Sequence, residues 1–189
     1  MAYLEQFSFE SPKMLVFCLG GHTEYGKLEV HDVVFVVAKT DKEAIEKMRK
    51  AWFGTQKSLH VDSWLIVESI NGYEIRITKT KPPNKNTHLY FVNLGYYIPL
   101  QIGEHHFMTL VTAGSKREAM KLAMNECSSD LHMLHLDDLH DLDGCINIDK
   151  VDEYFITLEY TGLDKDLAQP INGYLNLRSL SEMAPNLDQ

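Results

Sequence analysis

The feature that most constrains the fold of this chain is an internal duplication. Residues 14–62 align with residues 89–137 without a gap, and 11 of the 49 aligned pairs are identical. Self-similarity at one fixed offset marks a repeated structural unit. The connecting segment between the copies, KPPNKNT at 81–87, is short and polar. We therefore expect two similar units packed side by side rather than two independent domains.

Each copy begins with two segments that are typical of β-strands. MLVFCL at 14–19 and LYFVNL at 89–94 are continuous apolar runs, as expected of buried strands. VVFVVA at 33–38 and the weaker MTLVTA at 108–113 are rich in β-branched residues. Each unit is therefore predicted to start with two strands.

A helix is predicted next in each copy. The segments 40–43 and 115–118 have capping-box sequences, in which a hydroxyl and a glutamate satisfy the first free backbone amides of a helix. Apolar side chains then recur at helical spacing. Helices are therefore predicted over residues 41–53 and 116–127.

Two further strands are predicted after each helix. In the first copy, SWLIVESI and YEIRITK flank Asn71-Gly72, a pair typical of a type I′ hairpin because both central residues need positive φ. In the second copy, CINI and EYFITLEY flank a less ideal turn. The predicted fold class is α+β: two tandem ββαββ repeats with mainly antiparallel sheet and an approximate twofold relation.

The predicted organisation divides the chain into four segments. Residues 1–80 form the first repeat with an N-terminal extension, 81–87 the linker, and 88–160 the second repeat. Residues 161–189 form a C-terminal extension, in which GYLNL at 173–177 is a possible short strand.

Charge and cysteine content restrict the function classes. The chain has 27 acidic and 18 basic residues, a formal charge of -9, and no block of basic residues, so we expect neither nucleic acid nor a membrane surface as a partner. The first apolar run is too short to span a bilayer. The three cysteines have no metal-finger spacing, which suits a reducing compartment. A cytoplasmic location is expected.

Four polar residues form the main candidate site. Glu29 and His31 are two apart at a strand entrance, as are His60 and Asp62, so each pair points to one side of an extended chain. The same pattern recurs in the second copy as Glu104, His106, His135 and Asp137. Such a set could bind a divalent metal or pair an imidazole with a carboxylate for proton transfer. Alternatively, it could hold a long loop onto the sheet through hydrogen bonds.

A second cluster of candidate ligands is concentrated in the segment SSDLHMLHLDDLHDLDG. Its imidazole and carboxylate groups are His132, His135, Asp137, Asp138, His140, Asp141 and Asp143. They could trap a divalent cation, but their spacing also suits a solvated acidic insertion.

Several motifs together resemble a bacterial domain family of unknown function. They are LGG at 19–21, LEVHDVVFVVA at 28–38, WFG at 52–54, LHVD at 59–62 and INGYEIRI at 70–77. Family members resemble this chain in having one or two copies of the unit. The resemblance brings no activity, substrate or cofactor, but it implies that single-copy relatives dimerise.

Two function classes follow from these patterns. Because the sequence has no recognised nucleophile, cofactor fingerprint or metal signature, we expect a small soluble binding or assembly module without catalytic activity. Its partner could be a second copy, another protein or an unidentified small molecule. The alternative is a divalent-metal-dependent enzyme that uses Glu29, His31, His60 and Asp62.

Overall fold

The computed structural model describes residues 3–83, 85–130, 144–163 and 169–177 of the chain. Its strands and helices, in chain order, are β1 (Ser8–Gly21), β2 (Val30–Thr40), α1 (Asp41–Ala51), β3 (His60–Val67), β4 (Ser69–Ile70), β5 (Tyr73–Thr78), β6 (His88–Tyr96), β7 (His105–Ala113), α2 (Lys116–Asp130), β8 (Cys145–Asn147), β9 (Lys150–Val151), β10 (Tyr154–Tyr160) and β11 (Ile171–Asn176). The fold is α+β, and all strand pairs within the described ranges are antiparallel, as predicted.

The chain divides into two compact units. Unit 1 comprises residues 1–68 and 167–189, and unit 2 comprises residues 69–166. Unit 1 therefore includes β11, and unit 2 includes the hairpin formed by β4 and β5.

Unit 1 contains one four-stranded sheet with the order β11-β3-β1-β2. Leu15, Phe17 and Leu19 of β1 are fully buried in a cluster that also contains Ile45 and Met48 of α1. Since side chains alternate along a strand, Gly20 lies on the opposite face from this helix-covered core. Gly20 is therefore available to the polar groups of the other face.

Unit 2 contains a three-stranded sheet, β7-β6-β8, and a four-stranded sheet, β4-β5-β10-β9. The first sheet packs with α2 around a core that includes Val92, Leu94, Val111 and Ala123. The Asn71-Gly72 turn has positive φ at both residues, 48° and 78°, as predicted for a hairpin. The Asn71 side chain also accepts hydrogen bonds from the Thr112 backbone at 3.1 Å and hydroxyl at 3.3 Å.

Both helices begin where their capping boxes predicted. The Thr40 hydroxyl accepts from the Glu43 amide at 3.2 Å, and Glu43 accepts from the Lys39 amide at 2.9 Å. Helix α1 ends at Ala51, two residues earlier than predicted, because Trp52 adopts an extended conformation with its side chain in the core. Helix α2 extends three residues beyond its predicted end. No helix in the described ranges is long and apolar enough to cross a membrane.

Candidate functional site

Three neighbouring strands bring the first candidate set together at one end of the unit 1 sheet. In the register of this sheet, Gly20 of β1 pairs with His31 of β2 on one side and with His60 of β3 on the other. The two histidines therefore flank a residue with no side chain. Residues that are 29 positions apart in the sequence become close neighbours through strand pairing alone.

Asp62 joins this row through a bulge in β3. Leu19 pairs with Val61 and Cys18 pairs with Ser63, which leaves Asp62 as an extra residue between them. A bulge of this kind redirects a side chain and bends the strand. The Asp62 carboxylate consequently lies against Gly20 and between the two imidazoles.

Gly20 provides the space in which these groups meet. A Cβ atom at this position would lie 2.5 Å from His60 Nε2 and 2.6 Å from Asp62 Oδ2. Real Cβ contacts are almost never this short, so any side chain here would displace the imidazole or the carboxylate. The polar cluster requires glycine at position 20.

The four side chains form a continuous chain of contacts, which we call the Gly20 cluster: Glu29, His31, His60 and Asp62. His60 Nε2 lies 2.8 Å from Glu29 Oε1 and 3.2 Å from Asp62 Oδ1, and His31 Nε2 lies 3.2 Å from Asp62 Oδ2. The His60 side chain is only 2% exposed, whereas those of Glu29 and His31 are 37% and 51% exposed. One buried imidazole is thus surrounded by groups that reach solvent.

His60 is fixed by two further contacts. Its Nδ1 lies 2.9 Å from the Ser58 carbonyl oxygen, and its ring stacks on Tyr174 of β11 with centroids 3.9 Å apart. Because a carbonyl can only accept, Nδ1 carries the hydrogen and donates it to Ser58. In a neutral ring, Nε2 would then present a lone pair to two carboxylate oxygens, so a proton or another cation is needed between them.

The hydrogen-bond geometry of the cluster is incomplete. Within the described residues, His60 Nε2 and Asp62 Oδ2 are buried without a hydrogen bond of acceptable geometry. The short distances from His60 to Glu29 and from Asp62 to His31 are therefore close polar contacts that are poorly aligned for hydrogen bonds. Buried polar atoms without aligned partners are unfavourable, and a bound donor group would satisfy them.

Metal binding is the alternative role of these four residues. Among the described residues, no group of three or more His, Cys, Asp or Glu side chains is placed so that it could hold a metal ion. The members of the Gly20 cluster contact one another in pairs, so they would have to separate before surrounding a metal.

Cys18 lies on β1 near the cluster and is half-buried. Its burial raises the pKa of the thiol, and the nearby carboxylates Asp62 and Asp32 raise it further, against a lowering effect of the Ser63 side chain. A raised pKa disfavours the thiolate, which is the nucleophilic form. The cysteine is therefore unsuited to act as a nucleophile here.

The loop between β1 and β2 contains one member of the cluster, Glu29. Its first residue, His22, accepts a 2.8 Å hydrogen bond from the Thr55 amide, and its own amide donates to the Ser58 hydroxyl at 2.8 Å. Further along this loop, Tyr25 and Leu28 are 89% and 79% exposed. The loop is thus attached at its base, and Leu28, the residue before Glu29, is exposed.

In unit 2, half of the second candidate set lies in the described residues. His106 pairs with Gly95, and its Nε2 lies 3.8 Å from Glu104 Oε2. Glu104 also packs so closely on Gly95 that a Cβ there would collide with it. His135 and Asp137 lie outside the described residues, as does the rest of the candidate cation cluster from His132 to Asp143.

Sequence reasoning identified the four polar residues but missed Ser58 and Tyr174, which hold His60 in place. Tyr174 lies 114 positions from His60, and only the pairing of β11 with β3 brings them together. The one available signal was the predicted strand at 173–177, whose pairing partner no local pattern could identify.

Comparisons with known proteins give the chain a family context. Residues 26–77, which contain all four members of the Gly20 cluster, match the family model described as Domain of Unknown Function (DUF1543). Among solved structures, the chain is similar to protein Il1583 from Idiomarina loihiensis, with 32% sequence identity and a TM-score of 0.69. The match covers 89% of this chain and 100% of that chain. No curated protein matches the chain.

Proposed function

The chain belongs to the same protein family as Il1583 of Idiomarina loihiensis, and for this member we propose a non-catalytic binding module that recognises a cationic group at the Gly20 cluster. The observation that carries the proposal is the position of His60 Nε2, which is buried between two carboxylates with no aligned hydrogen bond. A cation with N–H donors compensates the carboxylate charge and supplies the missing hydrogen bonds.

An ammonium group fits this role better than a larger cation. It is a compact charge with three donors, and the entrance to the cluster is formed by the half-exposed side chains of Glu29 and His31. These two can rotate towards solvent, whereas His60 is fixed by Ser58 and Tyr174. The ammonium is that of a small amine or of a lysine side chain on a partner protein. We expect the residues beside such a lysine to contact the exposed Tyr25 and Leu28.

The proposal includes the repeat architecture predicted from the sequence. We infer two tandem ββαββ repeats, 1–80 and 88–160, joined by 81–87 and followed by 161–189, in a cytoplasmic protein. The equivalent strand orders β2-β1-β3 and β7-β6-β8, together with the histidine–glycine pairs His31–Gly20 and His106–Gly95, support a duplication.

A second candidate function is a divalent-metal-dependent enzyme that uses the same four residues. One observation favours it: the Nδ1 hydrogen of His60 is given to a backbone carbonyl, which leaves Nε2 as the free nitrogen, as in many metal-binding histidines. Manganese, iron, cobalt, nickel and zinc all accept such nitrogen and oxygen ligands.

Nuclear magnetic resonance of the imidazole nitrogens distinguishes these possibilities. We expect N-acetyl-lysine amide to shift the His60 and His31 signals with millimolar affinity at pH 8, and N-acetyl-norleucine amide, which lacks the ammonium, to leave them unchanged. Asp62→Asn should reduce affinity about ten-fold, the usual scale for losing a charge-assisted contact.

The matched control is Asp32→Asn, which removes the same charge from a carboxylate whose Oδ1 accepts from the Val33 amide. If both variants weaken binding equally, only the general negative charge matters and the proposed site is wrong. Tight binding of Zn²⁺ or Mn²⁺ that disappears in Asp62→Asn would instead favour the metal enzyme. If neither amine nor metal binds, the cluster serves only to hold the loop onto the sheet.

A further inference from the structure

Unit 2 contains a cavity of about 450 Å³ that is separate from the Gly20 cluster. The linker contributes Lys81, Pro82 and Pro83 to its wall, and β10 contributes Phe155. The two prolines and the phenylalanine form an apolar surface. A flat apolar group can pack against such a surface.

Basic groups converge on the same cavity. Lys81, Lys85, Lys150 and His88 line it, together with the single carboxylate Asp149. This excess of positive charge contrasts with the net charge of -9 of the whole chain. A cavity with this lining attracts an anion although the protein as a whole repels one.

The Asp149 carboxylate already accepts hydrogen bonds from side chains of unit 2. It accepts from His88 Nδ1 and from Lys85 Nζ at 3.0 Å, and the Asn147 amide nitrogen lies 3.3 Å away. Burial raises the pKa of the Asp149 carboxyl, but the hydrogen bonds from His88 and Lys85 outweigh it, so the net pKa is lowered. The carboxylate stays ionised and fixes both basic partners.

The remaining basic groups are available to a ligand. Among the described residues, Lys81 and Lys150 form no ion pair with a carboxylate; the Lys150 ammonium lies 5.8 Å from the centre of the Phe155 ring. Because Asp149 holds His88 Nδ1, Nε2 is the His88 nitrogen left for a ligand. Two lysines and one imidazole nitrogen therefore surround an apolar wall.

We propose that this cavity binds a small organic anion, a phosphate or carboxylate group attached to a flat apolar body. Lys81 and Lys150 hold the charged oxygens, and Phe155 with the two prolines packs against the body. Ionised oxygens accept strong hydrogen bonds from such donors. The site lies wholly in unit 2, so its failure and the failure of the Gly20 cluster can be observed independently.

The test uses phenyl phosphate and benzoate as probes, with phenol as the uncharged comparison and inorganic phosphate as the comparison without an apolar body. In calorimetry, at least one of the two organic anions should bind at least ten-fold more tightly than phenol and inorganic phosphate. In nuclear magnetic resonance spectra, the backbone amide signals that shift on binding should be confined to the cavity residues. The tighter of the two anions identifies the charged group. Lys150→Glu and Lys81→Glu should each weaken binding at least ten-fold.

Lys121→Glu is the matched control, because it makes the same charge change on an exposed position of α2 away from the cavity. Circular dichroism of each variant checks that it is folded, and Lys150→Met repeats the test without adding a negative charge. Absence of binding by the wild-type protein at 10 mM probe, on the order of the weakest specific affinities, overturns the proposal. Equal weakening by Lys121→Glu also overturns it, since binding would then follow net charge alone.

Discussion

At the scale of single residues, the absence of a side chain at Gly20 determines whether the Gly20 cluster can form. It allows His60 and Asp62 to occupy the space that a Cβ would fill, on the face opposite the buried core. The chain also has a glycine at the aligned position 95, where Glu104 occupies the space that a Cβ would fill. The residue type therefore follows from the close approach of polar groups and not from backbone conformation, since Gly20 does not require positive φ.

Gly20→Ala should consequently destabilise unit 1 and disrupt the cluster. Overpacking of a filled site usually costs about 1–3 kcal/mol, and the added methyl group meets a buried imidazole that Ser58 and Tyr174 prevent from moving. Urea unfolding followed by tryptophan fluorescence measures the effect. Gly26→Ala is the control: its Cβ would also lie 2.5 Å from a neighbour, but that neighbour is the hydroxyl of the partly exposed Thr23, which can rotate. Equal effects of the two substitutions would contradict the explanation.

Asp149 gives a pH-dependent prediction for unit 2. Because its pKa in the folded protein is below the ordinary value of 3.8, the carboxylate stabilises the fold fully above pH 3.8, and this contribution is lost as the pH falls through the lower, folded pKa. The difference in unfolding free energy between the wild type and Asp149→Asn should therefore be largest near neutral pH and shrink on acidification. Urea unfolding followed by circular dichroism at several pH values checks this, and a pH-independent difference would refute it.

The candidate residues differ in how far the sequence could reveal them. Glu29, His31, His60 and Asp62 were found because the duplication repeats them at one offset. By contrast, His88 and Asp149 are 61 positions apart and were not singled out, since their contact depends on how β6 meets the turn after β8. Periodicity and motif spacing describe residues that are close along the chain. The contacts of the Gly20 cluster and of the cavity in unit 2 join residues that are close only in the folded structure.

At the scale of elements, local chemistry determined where each helix begins. The hydroxyls of Thr40 and Ser115 accept from amides three residues ahead, at 3.2 Å in both cases, as a capping box requires. Each glutamate, however, accepts from the residue before the cap rather than from the cap itself. The helix ends were less predictable. Helix α1 ends before Trp52 because the extended backbone there places the indole in the core, and the local sequence does not indicate this packing.

The strands show the same division between local and long-range information. The Asn71-Gly72 hairpin was predictable because its two central residues need positive φ, which few residue types accept. The bulge at Asp62 was not, because the predicted strand SWLIVESI begins only at Ser63 and no local pattern marks an extra residue before it. Alternation did place His60 and Asp62 on one side of the chain, but the register of β3 against β1, which brings both to Gly20, has no local signal.

At the scale of the whole molecule, the chain begins unit 1, builds unit 2, and then returns to complete unit 1. The returning segment places β11 beside β3, with Asn176 opposite His60. The Leu4 amide donates to the Asn176 carbonyl at 3.1 Å, and Leu177 is buried in the same core as Leu4. Unit 1 thus depends on two segments that are far apart in the sequence.

We therefore predict that a chain ending at residue 163 loses stability in unit 1, because it lacks β11 and the buried Leu177. Losing one buried leucine alone typically costs about 2–5 kcal/mol, and an unpaired edge of β3 adds to this. Both tryptophans, Trp52 and Trp64, belong to unit 1, so the fluorescence transition in urea reports on this unit specifically. A chain ending at residue 177, which retains β11, is the comparison, while Tyr174→Ser should lose the stacking on His60 but keep the strand. If the chain ending at residue 163 unfolds at the same urea concentration as the chain ending at residue 177, then β11 is an accessory strand, and the stability of unit 1 resides in β1, β2, β3 and α1 alone.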